Sequence, residues 1–189
     1  MTVLILVTGN DHKFSEASAI ARELGLTLEQ ARIRLTEIQT ADISSIVDSK
    51  AKDAFARLGR PLFVEHTSLH IEFANGFPAG LTRTFLKTLG DDKVCELFGA
   101  TGRNTAVGRT TIGYCDGRRV HQVDGELHGV IAKVPSGALT GWEQFGWSRI
   151  FIPAGYAKTL SELGMAEKNK FSMRRAALIK LASFLKSRP

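Results

Sequence analysis

The chain opens with five apolar residues in a row, Val3-Leu4-Ile5-Leu6-Val7, followed at once by Thr8-Gly9-Asn10. Such a run is too short for a helix and has no polar face, which suits a strand buried on both sides. After the turn, Asp11 can cap a helix that extends to about Leu24, with Phe14, Ala17, Ile20 and Ala21 on one face and Gly25 ending it. A second strand falls within Leu26–Leu35. Ile43, Ile46, Val47, Ala51, Ala54, Phe55 and Leu58 then follow helical spacing, closed by Gly59 and Pro61. This strand–helix–strand–helix order, running into a third strand at Leu62-Phe63-Val64, argues for an α/β layer with a largely buried sheet.

The middle of the chain changes character. From Asn104 to Ala132 it is rich in β-branched residues, and Asp116-Gly117 supplies a hairpin turn between two long antiparallel strands. The C-terminus, from about Lys168 to Leu185, reads as one helix with Phe171, Ala177, Leu178, Leu181, Ala182 and Leu185 facing inward. The sheet is therefore mixed. With 189 residues and 43% hydrophobic side chains, the chain is expected to form one domain over 1–189 with a substantial core.

Bulk charge excludes little. A formal net charge of +6 is compatible with a nucleic-acid binder, a site for acidic small molecules or a plain basic protein. The basic residues are scattered, so nucleic acid is not expected as a partner. Cys95 and Cys115 have no CxxC spacing and read as reduced core residues rather than a zinc site or disulfide framework. There is no basic leader and no apolar run near the roughly 18 residues that span a bilayer, so a cytoplasmic protein with no membrane partner is expected.

Four places stand out chemically. Glu65, His66 and Thr67 arrive together at the mouth of the third strand, where a strand that only packs a core has no use for them. Thr8-Gly9-Asn10 with Lys13 offers free backbone N–H groups, a positive helix end and an ammonium, which together suit an anion; the plain alternative is a β-to-α turn with a solvated lysine. Trp142, Phe145, Trp147 and Phe151 lie among glycines, either to stack on a planar ligand or to tuck into a core. Lys168 and Arg174, with Ser172 between them, flank the start of the last helix, where cations are locally unfavourable unless an anion joins them. Together these places describe a ligand carrying phosphates and a base.

With those residues in view, the chain resembles the inosine triphosphate pyrophosphatase family, enzymes that split aberrant purine nucleoside triphosphates to the monophosphate and pyrophosphate. "TGNDHKFSE" is similar to the family's opening TGN-x-x-K-x-x-E motif, "LTEIQ" to the segment with its acidic metal ligand, and "GFPAGLTRTFL" to its Gly-rich loop. "FGWSRIFIPAG" and "EKNKFSMRRAA" look like its FGWDPIF-x-P-x-G and EKN-x-x-SHR-x-A blocks. The matches fall in order over nearly the whole chain. The resemblance implies an elongated mixed β-sheet flanked by helices, two-lobed with a nucleotide cleft between the lobes, and a homodimer. It implies that Thr8, Gly9, Asn10 and Lys13 hold the triphosphate. Phe145, Gly146, Trp147 and Ser148 would form the base pocket, while Lys168, Ser172, Met173 and Arg174 would close on phosphate and base. Glu37 and Glu65 would bind magnesium, with manganese as the alternative.

Three positions depart from the family. Its V-E-D-T is Val64-Glu65-His66-Thr67 here, its F-G-W-D-P continues as Ser148-Arg149, and its S-H-R carries Met173. Neutral imidazole is a poor ligand for hard Mg²⁺ but suits softer divalent ions, and it can act as a general base. His66, Glu65 and Lys13 are thus the expected catalytic residues of a nucleoside triphosphate pyrophosphatase. The alternative is a nucleotide-binding protein of the same fold whose catalysis is lost or changed.

Overall fold

A computed structural model describes residues 3–138 and 146–187. The opening apolar run is strand β1 (Val3–Val7), parallel to both β2 (Thr27–Ala31) and β3 (Leu62–Ile71). Between them lie helices α1 (Asp11–Glu23) and α2 (Ile43–Leu58). A short β4 (Pro78–Ala79) pairs antiparallel with β3 and leads to α3 (Thr82–Val94). The hairpin β5 (Thr105–Cys115) and β6 (Val120–Ile131) follows, and β7 (Phe151–Pro153) adds antiparallel to β6. Helices α4 (Leu160–Lys168) and α5 (Met173–Lys186) end the chain. The seven strands hydrogen-bond in the order β2-β1-β3-β5-β6-β7, with β4 on β3, so the sheet is mixed as expected.

Residues group into two compact units. One takes in 1–66, 110–125 and 173–189; the other takes in 67–109 and 126–172. The first has its core where Leu4, Leu6, Ile20, Phe63, Ile112 and Leu178 meet, so α1 and α5 bury their apolar stripes on β1, β3 and β5. The second holds the aromatic contacts Phe77–Phe85 and Phe85–Phe98, and a buried pair, Trp147 and Phe151.

Three local expectations are corrected. Asn10, not Asp11, caps α1: Asn10 is extended and its Oδ1 accepts from the Lys13 N–H at 3.1 Å, while Asp11 is already helical. β3 does not end at Val64 but runs ten residues through Glu65, His66 and Thr67, and the Glu65 carboxylate is buried within it because Arg174 and Lys13 pair with it. The single C-terminal helix is two. The amides of Lys170 and Phe171 turn back to the carbonyls of Glu167 and Lys168, tightening the end of α4, and the chain restarts as helix only at Met173. Lys168 therefore sits at a helix C-terminus, where a cation is favoured.

Candidate active site

In the first unit the fold gathers charged residues from five segments. Lys13 and Glu16 lie one turn apart on α1, Glu37 follows β2, Lys50 is on α2, Glu65 and His66 are inside β3, and Arg174 is the second residue of α5. Arg174 donates from Nε to Glu65 Oε2 and from Nη2 to Glu65 Oε1, both at 2.8 Å. Its Nη1 reaches Glu16 Oε2 at 2.5 Å, and Lys13 Nζ lies 3.3 Å from Glu65 Oε1. Burial alone would make Glu65 hard to ionise. Arg174 and Lys13 outweigh it and hold the carboxyl down to about 2, so Glu65 is an anion throughout the physiological range. A small residue permits this geometry: at Gly125 of β6 a methyl would come within 2.0 Å of the Met173 carbonyl oxygen at the start of α5.

A second pair lies beside the first. Lys50 Nζ donates to Glu37 Oε2 at 2.7 Å and to the backbone carbonyl of Glu65 at 3.3 Å. Burial works against ionisation of Glu37, but Lys50 lowers its pKa overall. His66 is only 8% exposed, and its Nε2 is buried with no hydrogen-bond partner among the described residues. Burial first, then the charges of Lys50 and Lys13, depress the imidazole pKa to about 4 against the pull of Glu37 and Glu65. The site thus presents a neutral imidazole flanked by ammonium groups.

The expected phosphate turn shapes itself: Thr8 Oγ1 accepts from the Asn10 N–H at 3.1 Å, and a Cβ at Gly9 would meet nothing within 4 Å. Lys13 turns its Nζ toward the buried Glu65 carboxylate, and burial lowers its pKa against the pull of that carboxylate. Arg174 is buried in the ion-pair fork instead of standing open to a phosphate, and Met173 is buried beside it. Gly146, Trp147, Ser148, Lys168 and Ser172 belong to the second unit. There Trp147, 5% exposed, packs edge-on to Phe151 and over Gly108, where a methyl would come within 2.2 Å of its ring. Its ring fills a core. Ser148, Lys168 and Ser172 are buried, and the Ser148 carbonyl accepts from the Ser161 N–H at 3.0 Å. Phe145 lies outside the described residues. Lys50 was not singled out in the sequence, and Glu16 entered only as the closing residue of the TGN-x-x-K-x-x-E motif. Lys50 carried a signal, since it falls on the buried stripe of α2.

These donors do not fit a magnesium ion held by the free chain. Both Glu65 oxygens are in ion pairs, Glu37 is bound to Lys50, and an imidazole replaces the third carboxylate. Among the described residues no group of three or more His, Cys, Asp or Glu is placed to hold a metal ion.

Residues 4–184 match the Ham1 family. The chain belongs to that family. It is 34% identical to the dITP/XTP pyrophosphatase of Methanopyrus kandleri over 97% of this chain and 96% of that protein. The inosine triphosphate pyrophosphatase of Kluyveromyces lactis is also 34% identical, over 96% of this chain and 95% of that one. Among solved structures, a HAM1 protein from Coxiella burnetii superposes with a TM-score of 0.78 at 23% identity, covering all of both chains, which shows the shared fold.

Proposed function

We propose that this chain hydrolyses a purine nucleoside triphosphate to the monophosphate and pyrophosphate. One observation carries the reading: Lys13 and Lys50 flank a buried, neutral His66 whose Nε2 has no hydrogen-bond partner among the described residues. Membership of the Ham1 family and the names of its pyrophosphatase relatives support the same reading. The two ammonium groups offset the charge of the polyphosphate, and the start of α1 adds the positive end of a helix dipole. Glu65, ion-paired on both oxygens, keeps Lys13 ionised and oriented. The imidazole accepts a hydrogen bond from the attacking water, and the bound phosphates offset the lysine charges that otherwise weaken it as a base. A divalent ion, if it takes part, would come with the nucleotide and offset phosphate charge, because Glu37 and Glu65 are engaged by Lys50, Lys13 and Arg174.

The test is a panel of ITP, dITP, XTP, GTP and ATP with Mg²⁺ or Mn²⁺, read by phosphorus NMR. The expected products are pyrophosphate and the monophosphate from at least one purine triphosphate. A folded protein that binds these nucleotides and returns them intact would overturn the reading.

A further inference from the structure

The turn from Thr8 to Asp11 is held from outside by a side chain of β2. β1 and β2 run parallel, with Leu6 opposite Gln30 and Val7 opposite Ala31, and the Thr8 N–H extends that ladder to the Ala31 carbonyl at 3.1 Å. β2 ends at Ala31, so the Thr8 carbonyl lies beyond the paired length of the strand. A carboxamide meets it there: Gln30 Nε2 donates to the Thr8 carbonyl at 3.1 Å. The same nitrogen donates to Asp11 Oδ1 at 3.1 Å, and Arg32 Nη2 reaches that oxygen at 2.6 Å. The Gln30 hydrogen bond first, and Arg32 after it, hold the Asp11 carboxyl below its ordinary range. One side chain thus bridges the residue that enters the turn and the first residue of α1.

Packing does not fix this turn. A Cβ at Gly9 would meet nothing within 4 Å, so among the described residues nothing presses on the middle of the turn. Inside it, Thr8 Oγ1 accepts from the Asn10 N–H and Asn10 Oδ1 accepts from the Lys13 N–H, both at 3.1 Å. These local bonds fix the turn to itself, and Gln30 ties its far end back to β2. A turn that receives an anion on its N–H groups gains affinity when its shape is set before binding, because less ordering remains to be done. We infer that Gln30 is a positioning residue, its carboxamide cross-bracing the turn so that the N–H groups at the start of α1 meet phosphate in one arrangement. The inference rests on the proposed triphosphate hydrolysis and deepens it. Gln30 acts through the turn and not by touching the substrate.

The test compares the wild type with Gln30→Met, which keeps the length and neutrality of the side chain and removes its donor, so that any loss reports geometry and not charge. Inorganic tripolyphosphate, which has no base, is titrated calorimetrically into the full chain with EDTA present. The wild type binds, and Gln30→Met binds about three- to tenfold more weakly, the scale of one net hydrogen bond. In turnover of ITP with Mg²⁺, KM rises by about that factor while kcat stays within about twofold, the pattern of lost binding common to ground and transition states. The amide signals of Gly9 and Asn10 in nitrogen-15 NMR shift in the free variant, and urea midpoints check that the fold is kept. If Gln30→Met does not fold, Gln30→Ser takes its place and must show the same weakening. Equal tripolyphosphate affinity in wild type and variant overturns the inference, as does a fall in kcat at unchanged KM, or a wild type that does not bind tripolyphosphate. A chain whose tripolyphosphate affinity falls in Gln30→Met yet which returns ITP intact loses the hydrolysis reading alone. An active chain whose variant keeps both KM and affinity loses this inference alone.

Discussion

Both carboxylate oxygens of Glu65 are held by the guanidinium of Arg174, each at 2.8 Å, across the separation between β3 and α5 in the chain. The same guanidinium reaches Glu16 on α1, so one buried cation ties together three elements that meet only in the folded state. This fork explains why an arginine can stand in the first turn of α5 although the helix dipole disfavours it: two carboxylates offset the unfavourable end. Glu65 Oε1 is shared between Arg174 and Lys13, so the fork also fixes the carboxylate that Lys13 faces.

Removing Arg174 leaves Glu16 and Glu65 buried, each without the guanidinium that pairs it. Arg174→Ala is expected to destabilise the chain by about 3–5 kcal/mol, the range for breaking a buried ion pair from one side. Arg174→Lys keeps the charge but cannot bridge both carboxylates bidentately, so it recovers only part of that loss. Urea unfolding midpoints at neutral pH measure both. An alanine variant as stable as the wild type would show that the fork contributes nothing to the fold.

Gly125 tests the same fork from behind. A methyl there would meet the Met173 carbonyl oxygen at 2.0 Å and the Ala177 amide at 2.4 Å, and backbone atoms do not yield as a flexible side chain does. Gly125→Ala is expected to push α5 off β6 and lower stability by about 1–3 kcal/mol, the usual scale for overpacking. Because α5 carries Arg174, pyrophosphate release from the nucleotide panel should fall as well. A drop in thermal midpoint without any change in that release would separate α5 packing from the site.

Much of this was legible in the residues. The apolar run Val3–Val7 pointed to a strand covered on both faces, and Leu4 to Val7 are buried in it; the periodicity of 43–58 matches α2. The family blocks pointed to Lys13, Glu37, Glu65, His66 and Arg174, and all five fall in the first unit. What periodicity did not carry was pairing. Glu65 and Arg174 are far apart in sequence, and nothing local distinguishes a carboxylate saturated by arginine from one open to a metal. The break at Asn169–Ser172 was hidden because Lys170 and Phe171 keep turn-like hydrogen bonds, so the helical pattern runs across it. Trp147 looked like a stacking ring because its core partner is an absence of side chain, Gly108.

His66 gives the chain a characteristic response to acid. In the unfolded chain the imidazole takes up a proton near its ordinary pKa of 6.5, but in the fold burial and the two lysines delay this to about 4. Between those values the unfolded state binds more protons, so stability is full above about pH 6.5 and declines as pH falls toward about 4. His66→Gln has no proton to take and should flatten that part of the profile. Thermal midpoints from pH 7 to pH 4 measure it, with both proteins in the same buffers. Parallel profiles for the two would mean that His66 titrates normally and lies outside the cationic pocket.

Restoring a carboxylate at position 66 should change metal binding before it changes anything else. In the wild type, Glu65 and Glu37 are both committed to cations and His66 offers a single nitrogen, so free Mn²⁺ is expected to bind negligibly without nucleotide. His66→Asp adds a hard oxygen donor near Glu37, with Lys50 and Lys13 keeping it ionised. Electron paramagnetic resonance counts free Mn²⁺ directly, with no reliance on turnover. The expected result is a manganese site in His66→Asp and none in the wild type, whereas in the presence of a triphosphate both proteins hold the ion through its phosphates. Stoichiometric uptake by the nucleotide-free wild type would show that Glu37 leaves Lys50 for a metal, and would return the cation to the protein.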